Sequence, residues 1–275
     1  SESFGQAKIS LERDNYFVTS TTSDELSRIL LSGSKESFPS ALVIADAKDE
    51  ILTSEQKLIQ EYLRLGGNLM LLLEPESPSG LSNLVAPWGV VTGKGTLVDT
   101  ASYVAPNIEF LQIKDSNLQI PEHPITHNFD VMYFPGSRFI GLSLRPDEIP
   151  LTENGVPYIN AEPIAYTTLN SWEETSKESI SFDSENEIAG PLPIILAVES
   201  ISTMNEAPIK NERGEYVSSK LIISGDADFA SNKFLFSAKN EDLFANSINW
   251  LTSDVELISI RPKVKVFREL VLTQD

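Results

Sequence analysis

Two uninterrupted apolar runs, Ala41-Leu-Val-Ile-Ala45 and Leu69-Met-Leu-Leu-Leu73, flank a segment whose apolar residues return every three or four positions. A run without polar alternation is what a strand covered on both faces requires. Between the runs, Leu58, Tyr62 and Leu65, with Ile59 and Leu63 beside them, form the stripe of an amphipathic helix. Thr53-Ser-Glu-Gln56 has the spacing of a capping box, and Gly66-Gly67 supplies the stop. Strand, helix and strand fit within about thirty residues, the size of a βαβ unit.

The same reading extends along the chain. Phe4 to Asn15 reads as a helix or helix end, and Tyr16-Phe-Val-Thr-Ser20 has strand composition. Thr22-Ser-Asp-Glu25 is another capping box, ahead of Leu26, Ile29 and Leu30 at helical spacing, with Gly33 as the stop. Leu81 to Val90 predicts a short helix stopped by Pro87 and Gly89. From Gly95 to Pro150 the pattern is irregular and strand-like, with Ile108–Ile113 and Val131–Phe134 as candidate strands. Ile159 to Leu169 and Leu192 to Val198 add two more strands, and Asn170 to Gly190 between them reads as a long exposed loop. Met204 to Ser219 predicts a hairpin or loop about Glu212-Arg-Gly-Glu215. Lys220 to Ser224 and Glu241 to Leu251 close the chain as a βα pair, with Phe244, Ile248 and Leu251 in one stripe. The expectation is one α/β domain over residues 1–275, with a β-rich middle at about 95–190. Its mostly parallel sheet contains Ala41–Ala45, Leu69–Leu73 and Lys220–Ser224, with helices on both faces.

Composition narrows the chemistry. Forty Asp and Glu against twenty-one Lys and Arg give a net charge of -19, which repels nucleic acid and anionic lipid. It favours solubility, or an acidic surface for a cationic partner. The absence of cysteine removes disulfides, thiolate metal sites and a Cys nucleophile. No run approaches the ~18 apolar residues of a membrane span. The opening residues have neither the basic nor the apolar region of a signal peptide.

The candidate site residues cluster where predicted strands end. Asp226 and Asp228 follow the strand ending at Ser224, with Ser231 and Asn232 close behind; there they suit a cation or a sugar hydroxyl, but more often the capping of helices and turns. Asp46 and Glu74 follow the two βαβ strands. A carboxylate pair is the equipment of glycoside hydrolysis, yet acids at strand ends are also common turn residues. Trp172, in a polar stretch, is the tryptophan placed to stack on a sugar, while Trp250 suits the core. His123 and His127 are the only histidines; Pro121 and Pro124 argue against the helix a metal pair would need, so a turn role is expected and no metal. Gly93-Lys-Gly95 is too short for a phosphate loop, and no Gly-x-Ser-x-Gly elbow occurs. No catalytic residue and no cofactor are predicted.

Several segments, in order from about residue 40 to 265, resemble one family. They include Leu84-Val-Ala-Pro-Trp-Gly-Val90, Glu122-His-Pro-Ile-Thr-His127, Phe134-Pro-Gly-Ser-Arg138, Ser171-Trp-Glu173, Gly190-Pro-Leu-Pro193, Gly225-Asp-Ala-Asp-Phe-Ala230, Asn246-Ser-Ile-Asn-Trp-Leu251 and Leu257-Ile-Ser-Ile-Arg-Pro-Lys263. The family is the extracytoplasmic auxiliary proteins of ABC transporters, including the gliding-motility GldG type. The opening His-Gly-Glu such proteins often carry is absent here, and the first forty residues match poorly. The resemblance implies a flavodoxin-like fold similar to the class I glutamine amidotransferases. It also implies an extracytoplasmic, periplasmic-side location and a tether in the inner membrane outside this chain. The basic stretch from Arg261 to Asp275 would lead towards that tether. The function expected is a non-catalytic accessory domain that contacts the permease subunit or captures a ligand at Asp226, Asp228, Asn232, Asp46, Glu74 or Trp172. A glycan-binding module and an amidotransferase-like enzyme are the alternatives.

Overall fold

The computed structural model describes residues 2–32, 38–176, 178–204 and 207–252. The chain opens with α1 (Gly5–Arg13) and α2 (Ser23–Ser32). The capping box of α2 forms as the spacing requires. Thr22 Oγ1 accepts the Glu25 N–H at 3.3 Å, and the Glu25 carboxylate accepts the Thr22 N–H at 3.0 Å. Gly33, its expected stop, lies outside the described residues. Tyr16–Ser20 is not a strand. Strand composition needs a neighbour to pair with. Here Phe17 stands in solvent and the Tyr16 hydroxyl donates instead to Asn249 Oδ1 at 2.8 Å.

The βαβ unit is present as β1 (Leu42–Ala45), α3 (Thr53–Arg64) and β2 (Leu69–Leu72). Its cap sits one residue earlier than the spacing suggested: the Glu55 carboxylate takes the Leu52 N–H at 3.0 Å. Gly66, at φ 98°, turns the chain out of α3 through a conformation that favours glycine. After α4 (Ser79–Val85) come β3 (Val90–Thr92), β4 (Thr96–Asp99), β5 (Tyr103–Val104), β6 (Asn107–Lys114), β7 (Val131–Phe134) and β8 (Ile140–Leu142). Then follow β9 (Ile159–Tyr166), β10 (Ser171–Glu174), β11 (Pro193–Ile201), β12 (Thr203–Met204), β13 (Ala207–Pro208), β14 (Ser218–Ser224) and α5 (Asn240–Leu251).

The main sheet has the order β1-β2-β14-β11-β9. Leu42–Ala45 and Leu221–Ser224 both run parallel to Leu69–Leu72, but β11 is antiparallel to β14 and to β9. The four smaller sheets are antiparallel as well. The expected mostly parallel, flavodoxin-like sheet is therefore wrong. Parallel neighbours need a crossover, usually a helix. Among the described residues no helix lies between β9 and β11, and the β11–β14 connection is spent on the β12–β13 ladder and a turn at Asn211–Gly214. The chain can only double back.

Alternation along the central strands divides the interior in two. Met70, Leu72 and Ile222 face Leu11 of α1 and Leu243, Phe244, Ile248 and Leu251 of α5. Leu69, Leu71, Leu221 and Ile223 face Leu26 of α2, Ile59, Tyr62 and Leu63 of α3, and Leu81 and Leu84 of α4. The stripe of α5 is thus core, as its period predicted. β1 was expected to be covered on both faces; it is the edge strand, and Val43 is 40% exposed. Asn170–Gly190 is not a loop throughout, since β10 pairs with β4 inside it. Arg261 to Asp275 lies outside the described residues.

Tyr62 fastens this arrangement. Its ring is fully buried; its hydroxyl donates to the Pro39 carbonyl at 3.0 Å and accepts the Asn68 N–H at 3.1 Å, one residue before β2. Tyr62→Phe strands both backbone groups at a buried site, so urea unfolding should show a loss of about 1–3 kcal/mol with an unchanged slope.

Candidate functional site

Because β1, β2 and β14 are parallel, their carboxyl ends open on one edge, the place where α/β sheets carry ligands. The structure brings Asp46, Glu74, Asp226 and Asp228 together there. Glu74 Oε1 accepts the N–H groups of Ala227 at 2.8 Å and Asp228 at 3.1 Å, so the loop after β2 clasps the loop after β14. The Glu74 N–H is held by Ser77 Oγ at 2.8 Å. Asp226 is completely buried; its Oδ1 accepts the Phe229 N–H at 2.8 Å, and its Oδ2 has no hydrogen-bond partner among the described residues. Asp46, at φ 48°, pairs with Lys48 Nζ at 2.5 Å. Asp228 is exposed at the mouth.

Burial, with crowding of like charge behind it, raises the carboxyls of Glu74, Asp226 and Asp228. Burial, then the charges of Asp228 and Asp46, push Glu74 up to about 7, against the two N–H bonds that favour its ionised form. Burial and the neighbouring Glu74 put Asp226 well above the ordinary aspartate range. Desolvation and Asp46 raise Asp228, while Lys233 and Lys48 act against them. The Asp46 partner holds Lys48 above its ordinary value.

Two of the residues singled out in the sequence turn elsewhere. Asn232 Oδ1 accepts the Gln6 N–H at 2.7 Å and its own N–H donates to the Ser3 carbonyl at 2.8 Å, which ties the start of α1 to the loop after β14. Trp172 lies on β10; its indole N–H donates to Glu174 Oε2 at 3.1 Å and its ring stands 6.1 Å from Phe182. His123 is buried and caps a short turn, its Nδ1 accepting the Ile125 N–H at 3.2 Å, while His127 is exposed. Among the described residues no group of three or more His, Asp or Glu is arranged to hold a metal ion.

The site has two members that the sequence did not offer. Arg138 is buried; its Nε and Nη2 donate to the Gly93 carbonyl, Nε at 3.0 Å, and its Nη1 to the Glu74 carbonyl at 3.4 Å. Glu173, also buried, accepts the N–H groups of Lys94 and, at 2.7 Å, Gly95. Burial lowers the Arg138 value, and the Glu173 charge acts against that lowering. Both residues sat in quoted segments, Phe134–Arg138 and Ser171–Glu173, but no spacing linked them to the strand ends. The partners here are backbone groups, which every residue carries.

Chemically the edge is a clasp of carboxylates on backbone amides, with one group that titrates near neutrality. Its sign is fixed by linkage. The folded protein holds the Glu74 proton more tightly than the unfolded chain, so Glu74 favours folding below about pH 4.5 and loses that contribution as pH rises through about 7. Glu74→Gln keeps an acceptor for Ala227 and Asp228 and removes the charge. Thermal melts should show it more stable than wild type at pH 8, with a smaller fall in stability between pH 5 and 7.

Among the described residues no helix is long and apolar enough to cross a membrane. The N-terminal domain of mmIFT52 has a similar fold, with a TM-score of 0.59 at 15% identity over 91% of this chain and 90% of that one. A ThuA-like protein from Bacteroides uniformis aligns over 90% of this chain and 82% of its own at 14% identity, with a TM-score of 0.44. No functionally curated protein matches the chain. The family described as ABC-type uncharacterized transport system matches residues 9–253, and the chain belongs to this family of ABC-transport auxiliary components.

Proposed function

We propose that this chain is a non-catalytic accessory domain of an ABC transporter complex, held on the extracytoplasmic face and joined to the inner membrane by segments outside it. Family membership over most of the chain carries this reading. ATP hydrolysis would belong to another subunit, since the sequence has no phosphate loop. The carboxylates at the sheet edge support a role without turnover. Glu74 Oε1 and Asp226 Oδ1 are engaged with backbone N–H groups, and Asp46 with Lys48, which gives these carboxylates a fastening role. Capture of a ligand would use what the edge still exposes: the Asp228 carboxylate with Asp46 and Glu74 behind it. Asp226, Asn232 and Trp172 support that edge or lie on other elements.

A glycan-binding module is the second reading, favoured by Trp172. Against it, the structure gives Trp172 to Glu174 and Phe182, and the aromatic next to Asp226, Phe229, is buried.

The test is co-expression of the full-length protein with the permease of its transport system, followed by affinity purification in detergent. A stoichiometric complex is expected; failure of the two to associate under conditions where each is folded would refute the accessory role. Screening the purified domain against glycoside and amide substrates should give rates equal to the buffer blank. Turnover that vanishes in Asp226→Ala would overturn the non-catalytic assignment.

A further inference from the structure

After β10 the chain makes a long excursion that has no place in either core, yet it is held in a defined shape by two carboxylates. Glu174 accepts the Trp172 indole N–H at 3.1 Å, the Ser176 N–H at 2.8 Å and the Ser181 N–H at 2.9 Å. Glu187 accepts the N–H groups of Thr175 at 2.9 Å and Asp183 at 2.8 Å. The Glu173 N–H to the Ile188 carbonyl at 3.0 Å, and the Gly190 N–H to the Ser171 carbonyl at 2.8 Å, lay the returning chain along β10.

What this scaffold displays is apolar. Ile180 is 50% and Phe182 45% exposed, the Phe182 ring stands 6.1 Å from the half-buried ring of Trp172, and none of the three belongs to a core cluster. Ordering a segment costs backbone entropy at every residue. That cost is normally offset by burying apolar groups, and here they are left in water. The rim is acidic. Glu178, Asp183 and Glu185 are exposed and Glu187 half-buried, while the sequence from Leu169 to Ala189 holds a single lysine.

We propose that Trp172, Ile180 and Phe182 form a preordered platform for a cationic amphipathic polypeptide segment of the membrane partner. The proposal rests on the accessory reading above and names the surface that reading requires. The partner's apolar face would cover the three side chains, and its Lys and Arg would meet the rim, with cation–π contact to Trp172. Order in the free state lowers the entropic cost of binding. A sugar is a poorer occupant: the Trp172 and Phe182 rings stand at 57° to each other, so they make no flat shelf, and the indole N–H is already taken. An anionic membrane surface would be repelled by the rim.

The probe is a synthetic helical peptide of Lys and Leu, one face apolar, titrated into the purified domain at physiological salt by calorimetry. A peptide with Glu for Lys and the oligosaccharide chitohexaose serve as comparisons. The double variant Ile180→Ser/Phe182→Ser, whose sites are exposed, should keep the wild-type circular dichroism and lose affinity by about tenfold or more. Glu178→Gln/Glu185→Gln should weaken binding with a reduced salt dependence. Neutralising exposed acids on the Asn211–Gly214 turn side, Glu212→Gln/Glu215→Gln, should change affinity by less than about twofold. Unchanged affinity in the Ser variant would sink the platform, as would an equal loss in the Glu212/Glu215 control or platform-dependent binding of chitohexaose. Co-purification separates the two ideas. A wild-type domain that holds its permease while the Ser variant holds it equally well refutes the platform alone; a wild-type domain that never associates refutes the accessory role itself.

Discussion

The carboxyl edge of the main sheet depends on a place where two stretches of backbone meet with no room for a side chain between them. A Cβ on Gly225 would sit 2.0 Å from the Arg138 carbonyl oxygen. Across that contact the Arg138 N–H donates to the Gly225 carbonyl at 2.9 Å, and the Gly225 N–H to Ile194 at 2.9 Å. The exit of β14 is thereby locked between β11 and the segment joining β7 to β8. The side chain of Arg138 then continues the same junction to Gly93 and Glu74. One crossing therefore couples the parallel part of the sheet to the antiparallel additions. Only glycine permits it.

From this junction the electrostatics follow. With the loops after β2 and β14 drawn together, four carboxyls share one edge, and burial more than mutual repulsion disfavours the charge of Glu74, Asp226 and Asp228. The protein answers with backbone amides and Lys48, not with a second row of cations. Burial and the neighbouring Glu74 disfavour the charged form of Asp226, whose Oδ2 has no hydrogen-bond partner among the described residues. The outcome is an edge whose charge responds to pH near neutrality while its geometry is set by main-chain bonds.

The acidic balance of the chain also divides by role. Glu74, Asp226, Glu173, Glu174 and Glu187 act as acceptors for N–H groups in loops that have no ladder to satisfy them. These carboxylates replace regular secondary structure in a β-rich region with many irregular connections. Asp99, fully buried, likewise accepts the N–H groups of Ala101, Ser102 and Thr168. Exposed acids such as Glu12, Asp24, Glu178 and Glu212 set what the protein attracts and repels.

By itself the sequence determined the elements whose signals are local. The α2 capping box, the α3 stripe with its glycine stop, the buried run of β2 and the core face of α5 are written in spacing, because helix and strand periods are properties of a short stretch of backbone. That each of Asp46, Glu74, Asp226 and Asp228 follows a strand was legible for the same reason; that their three strands are parallel neighbours, which brings the four together, is a fact of the sheet. Tertiary structure alone decided the rest. The direction of β9 and β11 depends on whether a crossover lies between strands, and edge or centre for β1 depends on which neighbours arrive. Tyr16–Ser20 lost its strand because no partner reached it. Arg138 and Glu173 entered the site through bonds to the backbone of Gly93, Lys94 and Gly95, contacts between residues tens of positions apart that no periodicity encodes.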